Sequence, residues 1–125
     1  MKYLLDVNVL IAAIWDDHPH HSKAFVWLEG KSLLLCPLAE LGFLRISSPP
    51  KAINAPMEKA RDLLKKFAND RGVEWIADDI PALQSHSKNS DSVTDLYLAE
   101  LAARHKAKLA TFDGRILHPA AVVCL

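Results

Sequence analysis

Short continuous apolar blocks alternate along the chain with longer segments in which apolar residues recur at helical spacing. The blocks at residues 2–5, Leu33-Leu34-Leu35-Cys36-Pro37, 73–76, 108–111 and 121–124 read as strands, because strands covered on both faces lose the polar alternation of half-exposed ones. Between them, Val7 to Trp15 carries an apolar face. Phe25, Trp27 and Leu28 give a second helix its packing face, and Gly30 stops it. Residues 37–46 form a third helix, which Ser47-Ser48-Pro49-Pro50 ends because two prolines cannot continue it. Asp16-Asp17-His18-Pro19 breaks the first helix from the second and puts proline at a first helical position. Met57, Ala60, Leu63, Leu64 and Phe67 make a helical stripe, residues 79–84 read as a short helix, and residues 93–106 as the last long one. Residues 85–92 are the most polar stretch and read as a mobile loop. Strands alternating with helices predict an α/β fold, a central, mainly parallel sheet of about five strands flanked by helices.

The chain has 125 residues, half of them hydrophobic. That is enough for one domain with a full core, so residues 1–125 are read as a single domain. Lys+Arg and Asp+Glu both number 15, which excludes the overall basic field that gives non-specific affinity for nucleic acid. Asp6 interrupts the amino terminus before a secretory apolar region can form, and no apolar run approaches the ~18 residues of a membrane span. A cytoplasmic protein with no membrane association is expected. Cys36 and Cys124 lie in apolar segments and read as buried thiols.

Candidate chemistry lies in four acids. Asp6 follows the first strand, Glu40 the second, Asp95 opens the last helix, and Asp113 follows Lys108-Leu109-Ala110-Thr111. Open parallel sheets place their functional crevice at the carboxyl ends of the strands, which is where all four would meet. Anions gathered in one crevice repel one another unless cations join them, and an all-oxygen donor set suits Mg²⁺ or Mn²⁺. Such a centre hydrolyses phosphodiesters. Taken singly, each acid has a structural reading: Asp6 and Asp95 as helix caps, Glu40 as a first-turn residue, Asp113-Gly114 as a turn. Asp91 stands four residues before Asp95 and reads first as part of the helix start, so its membership of the site stays open, as does that of Arg45. His18, His20 and His21 flank a proline without the spacing of a zinc site.

The ordered set Asp6-Val7-Asn8-Val9-Leu10, Glu40 with Arg45, Val93-Thr94-Asp95-Leu96-Tyr97-Leu98-Ala99 and Leu109-Ala110-Thr111-Phe112-Asp113 resembles the PIN domain family over nearly the whole chain. The small size is similar to the toxin nucleases of VapBC-type toxin–antitoxin pairs. The resemblance implies an Mg²⁺- or Mn²⁺-dependent endoribonuclease with Asp6, Glu40, Asp95 and Asp113 as catalytic metal ligands. Asn8 and Thr111 would orient those carboxylates by hydrogen bonding. In-line attack by water would leave 5′-phosphate and 3′-hydroxyl ends. The implied partners are an RNA substrate, a second copy in a homodimer, and an antitoxin whose apolar and basic segment lies in a groove. The early helices carry Trp15, Phe25, Trp27 and Leu28, more apolar surface than a small domain must bury, which places that groove between the first two helices and the third.

Three other classes share some of these features. A receiver domain needs an acidic pair after the first strand and a late lysine, whereas this chain has Asp6-Val7-Asn8 and no lysine after Lys108. A phosphatase of the haloacid dehalogenase type needs a second Asp where Asn8 stands. A non-catalytic RNA- or protein-binding module would have no need of all four acids.

Overall fold

The computed structural model describes residues 1–47, 56–84 and 92–124. Five strands form one sheet: β1 (Lys2–Leu5), β2 (Ser32–Leu35), β3 (Glu74–Trp75), β4 (Lys108–Thr111) and β5 (Ala121–Val123). Their order is β3-β2-β1-β4-β5, and every neighbouring pair is parallel. The expected α/β architecture is therefore present. The inner residues of the central strands are apolar because both faces are covered there: Leu4, Leu5, Leu34 and Leu109 are at most 1% exposed.

The helices are α1 (Val7–Ile14), α2 (His21–Leu28), α3 (Pro37–Ser47), α4 (Met57–Arg71) and α5 (Val93–Arg104). From β1 the chain winds outward to β2 and β3 on one side, then returns to place β4 and β5 on the other. The reversal between β1 and β4 is a topological switch point, and it brings the residues that leave these two strands, Asp6 and Phe112, side by side.

Several local expectations are corrected. Pro19 does not start α2; a turn closed by the His21 N–H on the His18 carbonyl intervenes, and the helix begins at His21. The short helix expected over residues 79–84 reduces to a 3₁₀ turn at Ala82–Gln84, while Asp79 turns aside to pair with His105 at 3.1 Å. The last long helix stops at Arg104, before Lys106 takes the left-handed backbone conformation at φ 57°. The polar stretch 85–91, with Asp91, and the residues Ser48, Pro49 and Pro50 lie outside the described residues.

The early aromatics divide: Trp15 and Leu28 are buried, Trp27 is half-buried and Phe25 stays exposed. Trp15 is buried, stacks on Phe43 and donates its indole N–H to Ser47 Oγ at 2.9 Å. Trp27 packs edge-on against Tyr3, and Phe25 lies under the Arg71 guanidinium at 4.2 Å. Nor is there room for a groove between α1 and α3. At Gly42, a Cβ would stand 2.5 Å from Val7 Cγ2, so the two helices meet at backbone distance. The apolar cavity opens instead between α3 and α4, about 610 Å³ lined by Leu41, Leu44, Leu64 and Ala68 together with Glu40, Arg61 and Lys65. Among the described residues, no helix is long and apolar enough to cross a membrane. Both cysteines are buried free thiols, and burial pushes Cys36 up to about 12 and Cys124 up to about 11.

Candidate active site

Asp6 occupies the extended position that ends β1 and caps α1. Its Oδ1 accepts the Val7 N–H at 2.7 Å, which satisfies one of the orphan donors of the first turn. Its Oδ2 accepts the Thr111 hydroxyl at 2.7 Å. Capping and site membership are thus both true of this carboxylate. Asp6 is only 4% exposed, and burial raises its pKa, opposed by these two hydrogen bonds and assisted by the charge of Asp113.

Thr111, fully buried at the end of β4, uses its one hydroxyl twice: it donates to Asp6 and accepts the Asp113 N–H at 3.1 Å. Asn8, in the first turn of α1, accepts the Phe112 N–H through Oδ1 at 3.3 Å. Asn8 therefore fixes the β4 exit rather than a carboxylate, while Thr111 holds a carboxylate directly. Together they lock the end of β4 onto the start of α1.

Asp95 lies in the first turn of α5, at the wall of a cavity of about 370 Å³ shared with Ser92, Asp113 and Arg115. Its pKa is pushed up to about 6, first by burial and then by the charges of Asp6 and Asp113, with Arg115 opposing. Asp113 is held low by Arg115, whose backbone N–H and Nε reach Oδ1 at 2.9 and 3.0 Å and whose Nη2 reaches Oδ2 at 3.0 Å. Three of the four acids thus act electrostatically on one another at the switch point.

Glu40 stands elsewhere. It is in the first turn of α3, as expected, but its Oε1 accepts the Trp75 indole N–H at 3.1 Å, and it lines the α3–α4 cavity. Arg45 is exposed at the other end of the same helix. The start of α3 is also tied to β3 by Asp78, whose carboxylate accepts the Leu38 N–H at 3.1 Å. Arg115 and Trp75 were missing from the sequence reading. Arg115 had a local signal, since it follows the Asp113-Gly114 turn within side-chain reach. Trp75 had none, being 35 residues from Glu40.

A divalent cation fits this site by donor chemistry: three hard carboxylates crowd one another enough that charge neutralisation would relieve them. Among the described residues, however, no three His, Cys, Asp or Glu side chains stand together as a metal-holding group. Arg115 occupies both oxygens of Asp113, and Trp75 holds Glu40. A cation bound here would have to displace both partners. The three early histidines likewise form no metal group; His21 Nδ1 faces the Ala12 carbonyl at 2.9 Å, which requires that nitrogen to donate.

The ribonuclease VapC38 of Mycobacterium tuberculosis is 35% identical over 121 residues, covering 90% of this chain and 86% of that protein. VapC39 of the same organism is 33% identical over 127 residues, covering 93% and 91%. The crystal structure of VapBC2 from Rickettsia felis bound to a DNA fragment from their promoter shares the fold, with a TM-score of 0.64 at 15% identity, over 98% of this chain and 97% of that one. The PIN domain family matches residues 3–122, and with relatives of this identity across almost their whole length the chain belongs to that family.

Proposed function

We propose that this chain is a one-domain endoribonuclease dependent on Mg²⁺ or Mn²⁺, the cytoplasmic toxin of a toxin–antitoxin pair. The observation that carries the reading is the coupling of Asp6, Asp95 and Asp113 at the β1–β4 switch point, where each acid raises the cost of ionising another. These three would hold the metal with Glu40 as a fourth ligand, once Glu40 leaves the Trp75 indole. When bound, the metal would polarise a phosphate oxygen and make water a nucleophile at neutral pH. The chain's own residues supply position. Thr111 holds one oxygen of Asp6 and sets the backbone of Asp113, so two ligands from distant parts of the sequence keep a fixed relation. Arg115, once it releases Asp113, offers a two-pronged donor to the phosphodiester.

The relatives named as ribonucleases support RNA as substrate, and the VapBC2 structure supports an antitoxin partner. The α3–α4 cavity suits an apolar antitoxin helix, with Glu40 to receive a basic side chain. A homodimer belongs to the same proposal.

The test is cleavage of RNA by the purified protein with added Mg²⁺ or Mn²⁺. Asp6→Asn and Asp95→Asn should abolish cutting while the protein remains folded, and excess chelator should do the same. Full activity of either variant, or activity undiminished in chelator, refutes the reading. Co-expression with the adjacent reading frame tests the pairing, for which the expected product is a complex that no longer cuts.

A further inference from the structure

The loop between α1 and α2 brings two imidazoles to the exit of β4. Phe112 lies between Thr111 and Asp113 in the chain, and its backbone is fixed by Asn8. The His20 ring meets the Phe112 ring edge to face, with centroids 5.8 Å apart and planes at 71°. The His18 ring also stands near it, with centroids 5.8 Å apart and planes at 46°. His18 Nδ1 accepts the His20 N–H at 3.0 Å, so the loop that carries both rings is set by its own hydrogen bond. All three residues are partly exposed.

A histidine that serves only packing commonly satisfies its ring nitrogens within the protein, as His21 does with the Ala12 carbonyl. Among the described residues, the His20 ring nitrogens have no such bond to the protein. Its ring is positioned by aromatic neighbours while its polar edge is left for something else.

We infer that the exposed part of His20, steadied by its contacts with His18 and Phe112, is the seat of an unpaired RNA base beside the acidic pocket, and so helps select the RNA that is cut. This rests on the ribonuclease reading. Recognition of single-stranded RNA relies on bases splayed out and stacked on aromatic or histidine rings, with hydrogen bonds to their edges. A chain of net charge zero has no overall attraction for phosphate, so ring contacts become a larger share of its affinity. Phe112 and Asp113 are consecutive residues, which places the bound base within a nucleotide's reach of the acids.

The experiment measures binding of a fluorescein-labelled single-stranded oligoribonucleotide of mixed sequence by anisotropy, in excess chelator so that no cleavage intervenes. His20→Ala should weaken binding by roughly 5- to 100-fold, the range seen for loss of one stacked base, while His20→Phe, which keeps a stacking face but loses the polar edge, should recover only part of that loss. Thermal unfolding of both variants checks that they are folded. Wild-type-like binding by His20→Ala overturns the inference, as does equal loss in His20→Phe and His20→Ala, or parent protein that does not bind the probe. A labelled duplex of the same sequence should bind more weakly and be indifferent to His20→Ala; equal sensitivity would also overturn it. The nuclease reading fails separately, through absence of metal-stimulated cutting by the parent protein.

Discussion

Replacing Asp95 by Asn should stabilise the metal-free protein at neutral pH, although it destroys a proposed ligand. The Asp95 pKa rises from 3.8 to about 6 through burial and the nearby charges of Asp6 and Asp113. At 1.36 kcal/mol per pKa unit, the charged form costs about 3 kcal/mol, which solvent screening at a partly open site reduces to about 1–2 kcal/mol. Against this, Asp95 in the first turn of α5 favours the helix dipole by about 0.3–1 kcal/mol, which Asn gives up. The net expectation is a gain of about 1 kcal/mol above pH 7, or a melting temperature higher by about 3–5 °C.

The pH dependence carries the sign. A carboxyl with a raised folded pKa binds its proton more tightly when folded than when unfolded, so its cost is absent below pH 3.8, grows as pH rises to about 6, and is complete above that. Asp113 runs the other way: its lowered pKa contributes stability that is full above the unfolded value and is lost as pH falls through the folded one. Asp95→Asn leaves the Asp113 contribution in place, so the difference between variant and parent should vanish towards pH 4 as the parent sheds its Asp95 penalty, while the Asp113 contribution fades in both proteins only below the unfolded value. Urea unfolding at several pH values from 4 to 8 provides the assay. Added Mg²⁺ should then reverse the order, because only the parent retains the full ligand set and gains by mass action. A variant less stable than the parent at pH 8 without metal, or a difference independent of pH, would refute the claim that the three acids crowd one another.

Thr111→Val leaves a buried oxygen of Asp6 and the Asp113 N–H without their shared partner, and should cost about 1–3 kcal/mol in urea unfolding and depress cleavage. Gly42→Ala drives a methyl into Val7 and should destabilise by about 1–3 kcal/mol. Adding Val7→Ala should restore part of that loss, a coupling that a double-mutant cycle measures. Trp75→Phe removes the indole N–H that holds Glu40, so Mn²⁺ should bind about two- to tenfold more tightly by calorimetry.

The sheet was legible because its strands are covered on both faces and so read as unbroken apolar runs. The nearness of Asp6 and Asp113 was legible because strand order places the ends of β1 and β4 together, and alternation of strand and helix is enough to imply such an edge, whereas Glu40 faces Trp75 instead. What misled was local. Pro19 suits a helix start, yet the His18 turn delays the helix by two residues. Trp15, Phe25 and Trp27 looked like surplus apolar surface because their partners Phe43, Arg71 and Tyr3 come from other elements. The close approach of α3 to α1 was not legible, since a glycine inside a helix gives no sign in the sequence of which neighbour it admits. Gly42 admits α1, and the open space moves to α4.

Sequence position states where a carboxylate leaves the backbone but not what it touches. Asp113 and Glu40 each have a partner that a cation must displace, and the weights of those partners decide whether it can. Arg115, with 91% of its side chain exposed, holds Asp113 in a pair of the kind worth about 0–1 kcal/mol. The Trp75–Glu40 bond is a single exposed hydrogen bond, worth about 1 kcal/mol. Crowding at Asp95 alone costs as much after screening, about 1–2 kcal/mol, and a cation that relieves it gains new ligand contacts as well. On the proposed metal-dependent reading, relief of the Asp95 crowding and the new ligand contacts would have to outweigh the loss of these two partners. On that reading Arg115 and Trp75 are placeholders on Asp113 and Glu40 that a cation would have to displace.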